Sequence, residues 1–248
     1  MKLNINAISD IGCVRSNNED MILIGNESLR DASNDYEFDF DSAEYPFLIA
    51  VADGMGGQNA GEYASQIVLN EMNRVIRSLP IDLPLSELKS YLRSDIVNIH
   101  KQLIECGLKD DSKAGMGSTF IGVLFFQNSI FMINIGDSRL YRFRDGILTQ
   151  LSRDHSLSEM TNNPDVPKNI IVNSFGVGQK IFFDFEDISS RLLESDFLLL
   201  CSDGLTGELT DEEIETILVM PEPLANLLNQ TKEHGGRDNT SIIICEII

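Results

Sequence analysis

Four aspartates in this sequence stand where a run of apolar residues breaks off. Asp53 follows FLIAVA, Asp137 follows IFMINIG, Asp203 follows FLLLCS, and Asp238, in GGRDNT, comes just before the apolar run SIIIC. Carboxylates gathered at the rim of a low-dielectric interior repel one another and are tolerated together only when protons or cations neutralise them. No histidine or cysteine immediately adjoins these acids, so the donors on offer are all oxygen. That set suits magnesium or manganese better than zinc, and a two-metal centre is its expected product. The glycines after Asp53 and Asp203 leave room for close approach, and Gly54 offers its backbone carbonyl as a further ligand. Taken singly, an Asp-Gly after a strand is ordinarily a turn; the recurrence is what points to a shared site. Arg15, in GCVRSNNED, precedes Glu19 and Asp20 and sets a guanidinium fork for phosphate beside two further acids. The plain alternative for Arg15 is a surface ion pair.

The charge of the whole chain makes local compensation necessary. Nineteen basic residues against 39 acidic ones give a net charge of −20, which repels a nucleic-acid backbone or an anionic membrane, so neither is an expected partner. A phosphate-handling enzyme of this charge needs an arginine or bound cations to reverse the sign inside one cleft. Cys13, Cys106, Cys201 and Cys245 form no C-x-x-C pair and have no histidines nearby, and are expected to be core thiols. The opening MKLNINAISDIG lacks the apolar core of a secretory leader, and no run reaches the roughly 18–20 apolar residues of a membrane span. A reducing cytoplasm is the expected compartment.

The elements that must position these residues follow from periodicity. Ala64, Ile67, Val68, Met72, Val75, Ile76 and Leu79 form one stripe of a helix over 60–79, ended by Pro80 and Pro84. Leu85, Leu88, Leu92, Ile96, Ile99 and Leu103 form a second stripe, predicting an antiparallel partner helix with Gly107 at its end. From 117 to 152 the pattern becomes β-branched and aromatic, a meander of hairpins with turns at Asp145-Gly146 and around Gln127–Ser129. Residues 196–201 and 241–248 read as buried strands. Thr210–Glu213 has the form of a capping box opening a helix with Ile214, Ile217 and Leu218 inward, and a further short helix is expected around 224–231. Without regular βαβ alternation, this order predicts an α+β fold with antiparallel sheets. Segment 26–46 holds seven acids against the single base Arg30 and is expected to be a solvated hairpin or loop.

In their order, these blocks resemble the metal-dependent protein phosphatase family of the protein phosphatase 2C type, in its compact bacterial form. The blocks are Gly12-x-x-Arg15-x-x-Asn18-Glu19-Asp20, Val51-Ala52-Asp53-Gly54-Met55-Gly56-Gly57, Gly117-Ser118-Thr119, Gly136-Asp137-Ser138-Arg139, Asp154-His155-Ser156-Leu157, Ser202-Asp203-Gly204-Leu205 and Gly235-Gly236-Arg237-Asp238-Asn239-Thr240. The resemblance covers nearly the whole length and implies one catalytic domain over 1–248. Its implied architecture is a sandwich of two antiparallel sheets with a pair of antiparallel helices on each outer face, four layers αββα. By similarity, Asp53 bridges two Mg²⁺ or Mn²⁺ ions, the Gly54 carbonyl binds one, and Asp203 and Asp238 bind the other. Glu19 and Asp20 hold metal-bound waters, and Asp137 with Asp203 binds a weaker third ion. The implied reaction is direct attack of a metal-activated water on phosphoserine or phosphothreonine in proteins, with Arg15 orienting the phosphate and no phospho-enzyme. Phosphorylated proteins, opposed by a serine/threonine kinase, are the implied partners; without a heptad or a conspicuous apolar surface pattern, a monomer is expected.

Two departures stand out. Where some relatives carry a histidine after Asp-Gly to protonate the leaving group, this chain has Met55, which holds no proton to give; a metal-bound water must then serve, or another residue. His155 is one candidate, set against a role as a hydrogen-bonded loop residue; His100 and His234 have less claim. The flap expected over 156–178 is shortened and altered. Two rival readings are a catalytically inactive, phosphatase-like module that binds phosphoproteins, and a simple acidic cation-binding protein. The first sits poorly with a full set of metal acids, the second with Arg15 and the lack of EF-hand spacing.

Overall fold

The computed structural model describes residues 2–39, 46–56, 60–161, 166–167 and 170–248. Two six-stranded sheets make the body of the molecule. The first runs β11 (Ile147–Gln150), β10 (Arg139–Arg144), β13 (Phe197–Cys201), β14 (Thr240–Ile247), β1 (Lys2–Asp10), β4 (Ala32–Asp39). The second runs β12 (Asp184–Asp187), β9 (Ser129–Ile135), β8 (Phe120–Phe126), β5 (Phe47–Ala52), β2 (Met21–Ile24), β3 (Glu27–Leu29). All pairings within both sheets are antiparallel. A two-stranded ribbon, β6 (Gly54–Met55) with β7 (Gly117–Ser118), stands beside them.

Side-chain alternation sorts these strands into layers. In β1, Leu3, Ile5 and Ala7 are buried every second residue and face the gap between the sheets. β5 and β8 are buried at every position because both of their faces are covered: Ile49, Val51, Ile121 and Val123 fill the inter-sheet core, while Leu48, Ala50, Phe120 and Leu124 meet helices. Those helices are α1 (Ala60–Arg77) and α2 (Leu85–Lys109), joined through residues 78–84. On the other outer face, α4 (Asp203–Thr206), α5 (Asp211–Leu218) and α6 (Pro223–Glu233) cover Tyr141, Leu199, Ile242 and Ile244. A short α3 (Leu157–Thr161) follows β11. The order is helix, sheet, sheet, helix, as the family resemblance implies.

The local signals act as chemistry dictates. Asp145 and Gly146 take φ of 51° and 80° between β10 and β11, the primed turn whose twist matches its strands. Thr210 caps α5 with both bonds of the capping box in place, and Ile214, Ile217 and Leu218 are buried. Three expectations need correction. Helix α2 continues through Gly107 to Lys109; it stops there because the Asp110 N–H closes on the Cys106 carbonyl and the Asp110 carboxylate caps the next turn. Cys13 is exposed on the loop after β1, unlike the buried Cys201 and Cys245. The segment after residue 26 is neither a loop nor a hairpin of its own: β3 edges the second sheet and β4 edges the first, so the chain crosses between sheets at Arg30-Asp31. Its outer residues are solvated, but Tyr36 and Phe38 pack on the core, and Phe38 stacks on Phe47 with ring centroids 4.0 Å apart. Residues 40–45 of that segment lie outside the described residues.

Candidate metal centre and phosphate site

Strand register brings the separated acids to one end of the sandwich. Ala52 pairs with Met21, Ile135 with Phe120, Cys201 with Arg139 and Ile242, and Asp10 with Thr240. The ends of β1, β5, β9 and β13 therefore coincide with the starts of β2, β8, β10 and β14. Asp53, Asp137 and Asp203 leave the first group of ends; Arg15, Glu19, Asp20 and Asp238 sit in the loops that lead into the second.

Backbone contacts then fix the carboxylates. Thr119 ties down Asp53 twice, donating its N–H to the Asp53 carbonyl at 2.9 Å and accepting the Asp53 N–H on Oγ1 at 3.0 Å. The same Oγ1 lies 2.7 Å from Ser138 Oγ, linking this corner to the Asp137 turn. Ser202 Oγ donates to Asp20 Oδ2 at 2.7 Å and accepts the Ser241 N–H at 3.0 Å. Asn239 accepts the Glu19 N–H at 2.8 Å and donates to the carbonyls of Ile11 and Asn17, both at 2.9 Å, so it braces the loop that carries Arg15. Close approach explains both glycines. A Cβ on Gly54 would lie 2.1 Å from the Gly61 carbonyl oxygen and 2.6 Å from that of Glu19; one on Gly204 would lie 1.9 Å from that of Asn239.

Electrostatics at this end is that of crowded acids. Burial, and then the charges of Asp20, Asp203 and Asp137, push the Asp53 carboxyl well above the usual range. Burial lifts Asp20 to about 7 against the pull of its Ser202 bond, with Asp203 adding repulsion. Asp137 rises to about 7 by burial and by the charges of Asp203 and Asp154. Burial also raises Glu19 and Asp203. Arg15 Nη2 donates to Asp238 Oδ2 at 2.6 Å, and the charges of Glu19 and Asp53 reach the same guanidinium.

Among the described residues, no three His, Cys, Asp or Glu side chains sit close enough to chelate one ion as they stand. The acids face other partners instead: Asp53 lies beside Asp203, Asp20 accepts from Ser202, and Asp238 accepts from Arg15. Asp137 Oδ1 is buried with no partner. Crowded buried carboxylates with a single guanidinium among them call for added positive charge, and the donors are all oxygen, so these residues fit hard cations.

The remaining candidates sit apart from this cluster or serve it indirectly. Met55 packs against Gly117, with its Sδ 3.8 Å from Ser174 Oγ. His155 is buried; its Nδ1 accepts from the Gly136 N–H at 3.1 Å and from Asn173 Nδ2 at 2.8 Å, which leaves the proton on Nε2, 3.2 Å from Asp184. It braces the turn before Asp137 as a hydrogen-bonded loop residue. His100 Nδ1 accepts from the Gly176 N–H at 3.1 Å, and His234 Nδ1 lies 3.1 Å from the Glu208 carbonyl. Of the flap segment, residues 162–165 and 168–169 lie outside the described residues, as does Gly57. The far end of that segment is fastened: Phe175 exchanges both backbone bonds with Ser118, at 3.1 and 2.9 Å, and is fully buried. Thr119, Ser202 and Asn239 carry no signal in the sequence beyond their place in the motif blocks. The same is true of Arg139, held bidentate by Asp154 at 2.8–3.1 Å beside Asp137.

A family model described as protein phosphatase 2C matches residues 27–240. The serine/threonine phosphatase stp of Listeria monocytogenes is 30% identical over 223 residues, covering 84% of this chain and 87% of that protein. The serine/threonine protein phosphatase PstP of Mycobacterium tuberculosis is 30% identical over 98% of this chain and 44% of its own longer length. Among solved structures, the S. agalactiae serine/threonine phosphatase superposes with a TM-score of 0.81 at 28% identity, covering 99% of this chain and 100% of that one. The catalytic domain of PstP in complex with two manganese ions gives 0.74 at 28% identity, with 100% of each chain covered. This chain belongs to the protein phosphatase 2C family, whose members are metal-dependent.

Proposed function

We propose that this chain is a metal-dependent serine/threonine protein phosphatase that hydrolyses phosphoserine and phosphothreonine in proteins. The observation that carries the reading is the convergence of Asp20, Asp53, Asp137, Asp203 and Asp238 beside Arg15 at one end of the sandwich.

Asp53, the Gly54 carbonyl, Asp203 and Asp238 would hold two Mg²⁺ or Mn²⁺ ions, and Asp137 with Asp203 a weaker third. Such ions supply positive charge at the cleft and lower the pKa of water towards neutrality. The protein's own groups do the rest. Arg15 is half-exposed and bound by one carboxylate, so it can exchange Asp238 for a phosphate dianion and orient it in line. Glu19 and Asp20, fixed through their backbones, accept hydrogen bonds from water at the cleft. Met55 carries no proton and both ring nitrogens of His155 are engaged, so water delivers the proton to the departing alkoxide.

The chain reads as one catalytic domain with an acidic insertion at 26–46 and a shortened flap at 156–178. Phosphoproteins opposed by a serine/threonine kinase are its proposed substrates, acted on by a monomer. A reducing cytoplasm suits its four free cysteines, and no helix among the described residues is long and apolar enough to cross a membrane.

Hydrolysis of a small aryl phosphate with manganese, with and without chelator, tests the reading. Turnover is expected to require the metal and to fall to background in Asp53→Asn and Asp203→Asn. A wild type that binds manganese yet never turns over would instead support the phosphoprotein-binding module.

A further inference from the structure

The acidic segment bears on the site through its one base. Arg30 is largely buried, with only 16% of its side chain exposed. Its Nε donates to the Asp20 carbonyl at 2.9 Å, Nη1 to Glu62 Oε1 at 2.8 Å, and Nη2 to the Glu62 carbonyl and Ser65 Oγ, both at 3.0 Å. Ser65, fully buried on α1, passes its own hydroxyl hydrogen to the Glu19 carbonyl at 2.6 Å. The next residue, Asp31, turns the chain with φ of 51° and accepts from Asn18 Nδ2 at 2.9 Å. Asn18 Oδ1 in turn accepts the Asp20 N–H at 3.1 Å. One corner of the insertion thus grips three consecutive residues, Asn18, Glu19 and Asp20. It is itself held at both ends, because β3 pairs with β2 and β4 pairs with β1.

We infer that Arg30, with Asp31, is a positioning residue for the reaction: the corner between β3 and β4 fixes the Glu19–Asp20 backbone so that the two carboxylates meet the metal centre in register. With both carbonyls and the Asn18 side chain tied, only side-chain rotation is left to the acids. The guanidinium fork suits the task because it serves a backbone carbonyl, a carboxylate and a hydroxyl at once, which an ammonium on a flexible stem does not. The inference rests on the phosphatase reading above.

Manganese binding by titration calorimetry, and kcat and KM for an aryl phosphate at saturating manganese, test it on the full chain. Arg30→Met is expected to weaken manganese binding about 10-fold, within the range lost when outer-shell partners of a metal site are removed, and to lower kcat with KM nearly unchanged. Arg30→Lys is expected to recover part of both losses. Glu37→Ala, which removes an exposed charge from the same insertion, is expected to match wild type. Wild-type manganese affinity and kcat in Arg30→Met, even with a lowered melting temperature, would overturn the inference and leave Arg30 a stabiliser of α1. Equal losses in Glu37→Ala would also overturn it, by showing that charge alone is at work. Should Arg30→Met not fold, Asp31→Gly keeps the left-handed backbone and removes one tie; it is expected to shift manganese binding the same way by a smaller factor, and no shift overturns the proposal. Absent turnover in wild type would count against the phosphatase reading, while the calorimetry would still decide the role of Arg30.

Discussion

Arg15 and Asp238 meet at 2.6 Å although one is assigned to phosphate and the other to metal. The pairing makes the two roles separable by mutation. Arg15→Ala is expected to raise KM for an aryl phosphate by at least about 10-fold, since charge-assisted forks are the strong phosphate contacts. Manganese affinity should stay the same or tighten, because Asp238 loses a competitor; equal losses of both would refute the division of labour. At this scale Asp53, Asp137 and Asp203 stand out because each ends an apolar run beside a glycine, and Arg15 because Glu19 and Asp20 follow it closely. Thr119 and Ser202 do not, because a hydroxyl advertises nothing until its partner is known, and those partners lie 66 and 182 residues away.

Helices announce themselves within a few residues, and α5 shows how far that reaches. The Thr210–Glu213 capping box was legible in four letters and is formed in full. Thr210→Ala is expected to cost about 1 kcal/mol of stability in urea unfolding and to leave kcat unchanged, since α5 packs on the outer face of the sheet. The stripes of α1 and α2 were equally plain. The strands of the acidic segment were not, because their pairing depends on β1 and β2, and solvated edge strands carry little apolar alternation. The end of α2 was misplaced for a related reason: Gly107 signals a stop by habit, whereas the actual stop is a hydrogen-bond closure at Asp110.

For the molecule as a whole, crowding acids at one end makes stability depend on pH and metal. In the unfolded chain Asp137 titrates near its ordinary value of 3.8; in the fold it keeps its proton up to about 7. The native state therefore binds more protons across that interval, and the contribution of this group to stability falls as pH rises, with the full penalty above about 7. The metal-free Asp137→Asn variant is accordingly expected to melt above wild type by a margin that widens from pH 5 to pH 8, and saturating manganese should narrow the gap. The buried histidines cancel because both proteins contain them. A gap that stays constant from pH 5 to 8 would show that Asp137 titrates normally.

The insertion has one more effect, on the company the protein keeps. Strand β4 is the last strand of its sheet among the described residues, and a bare sheet margin invites a second chain to dock along it as an extra strand. Here Asp35, Glu37 and Asp39 line that margin, so two copies approaching side by side bring like charges together. Changing the three to Asn, Gln and Asn is expected to produce concentration-dependent assembly in sedimentation experiments where the parent chain stays dispersed. Acidity that looks like mere solvation would then be a safeguard against polymerisation.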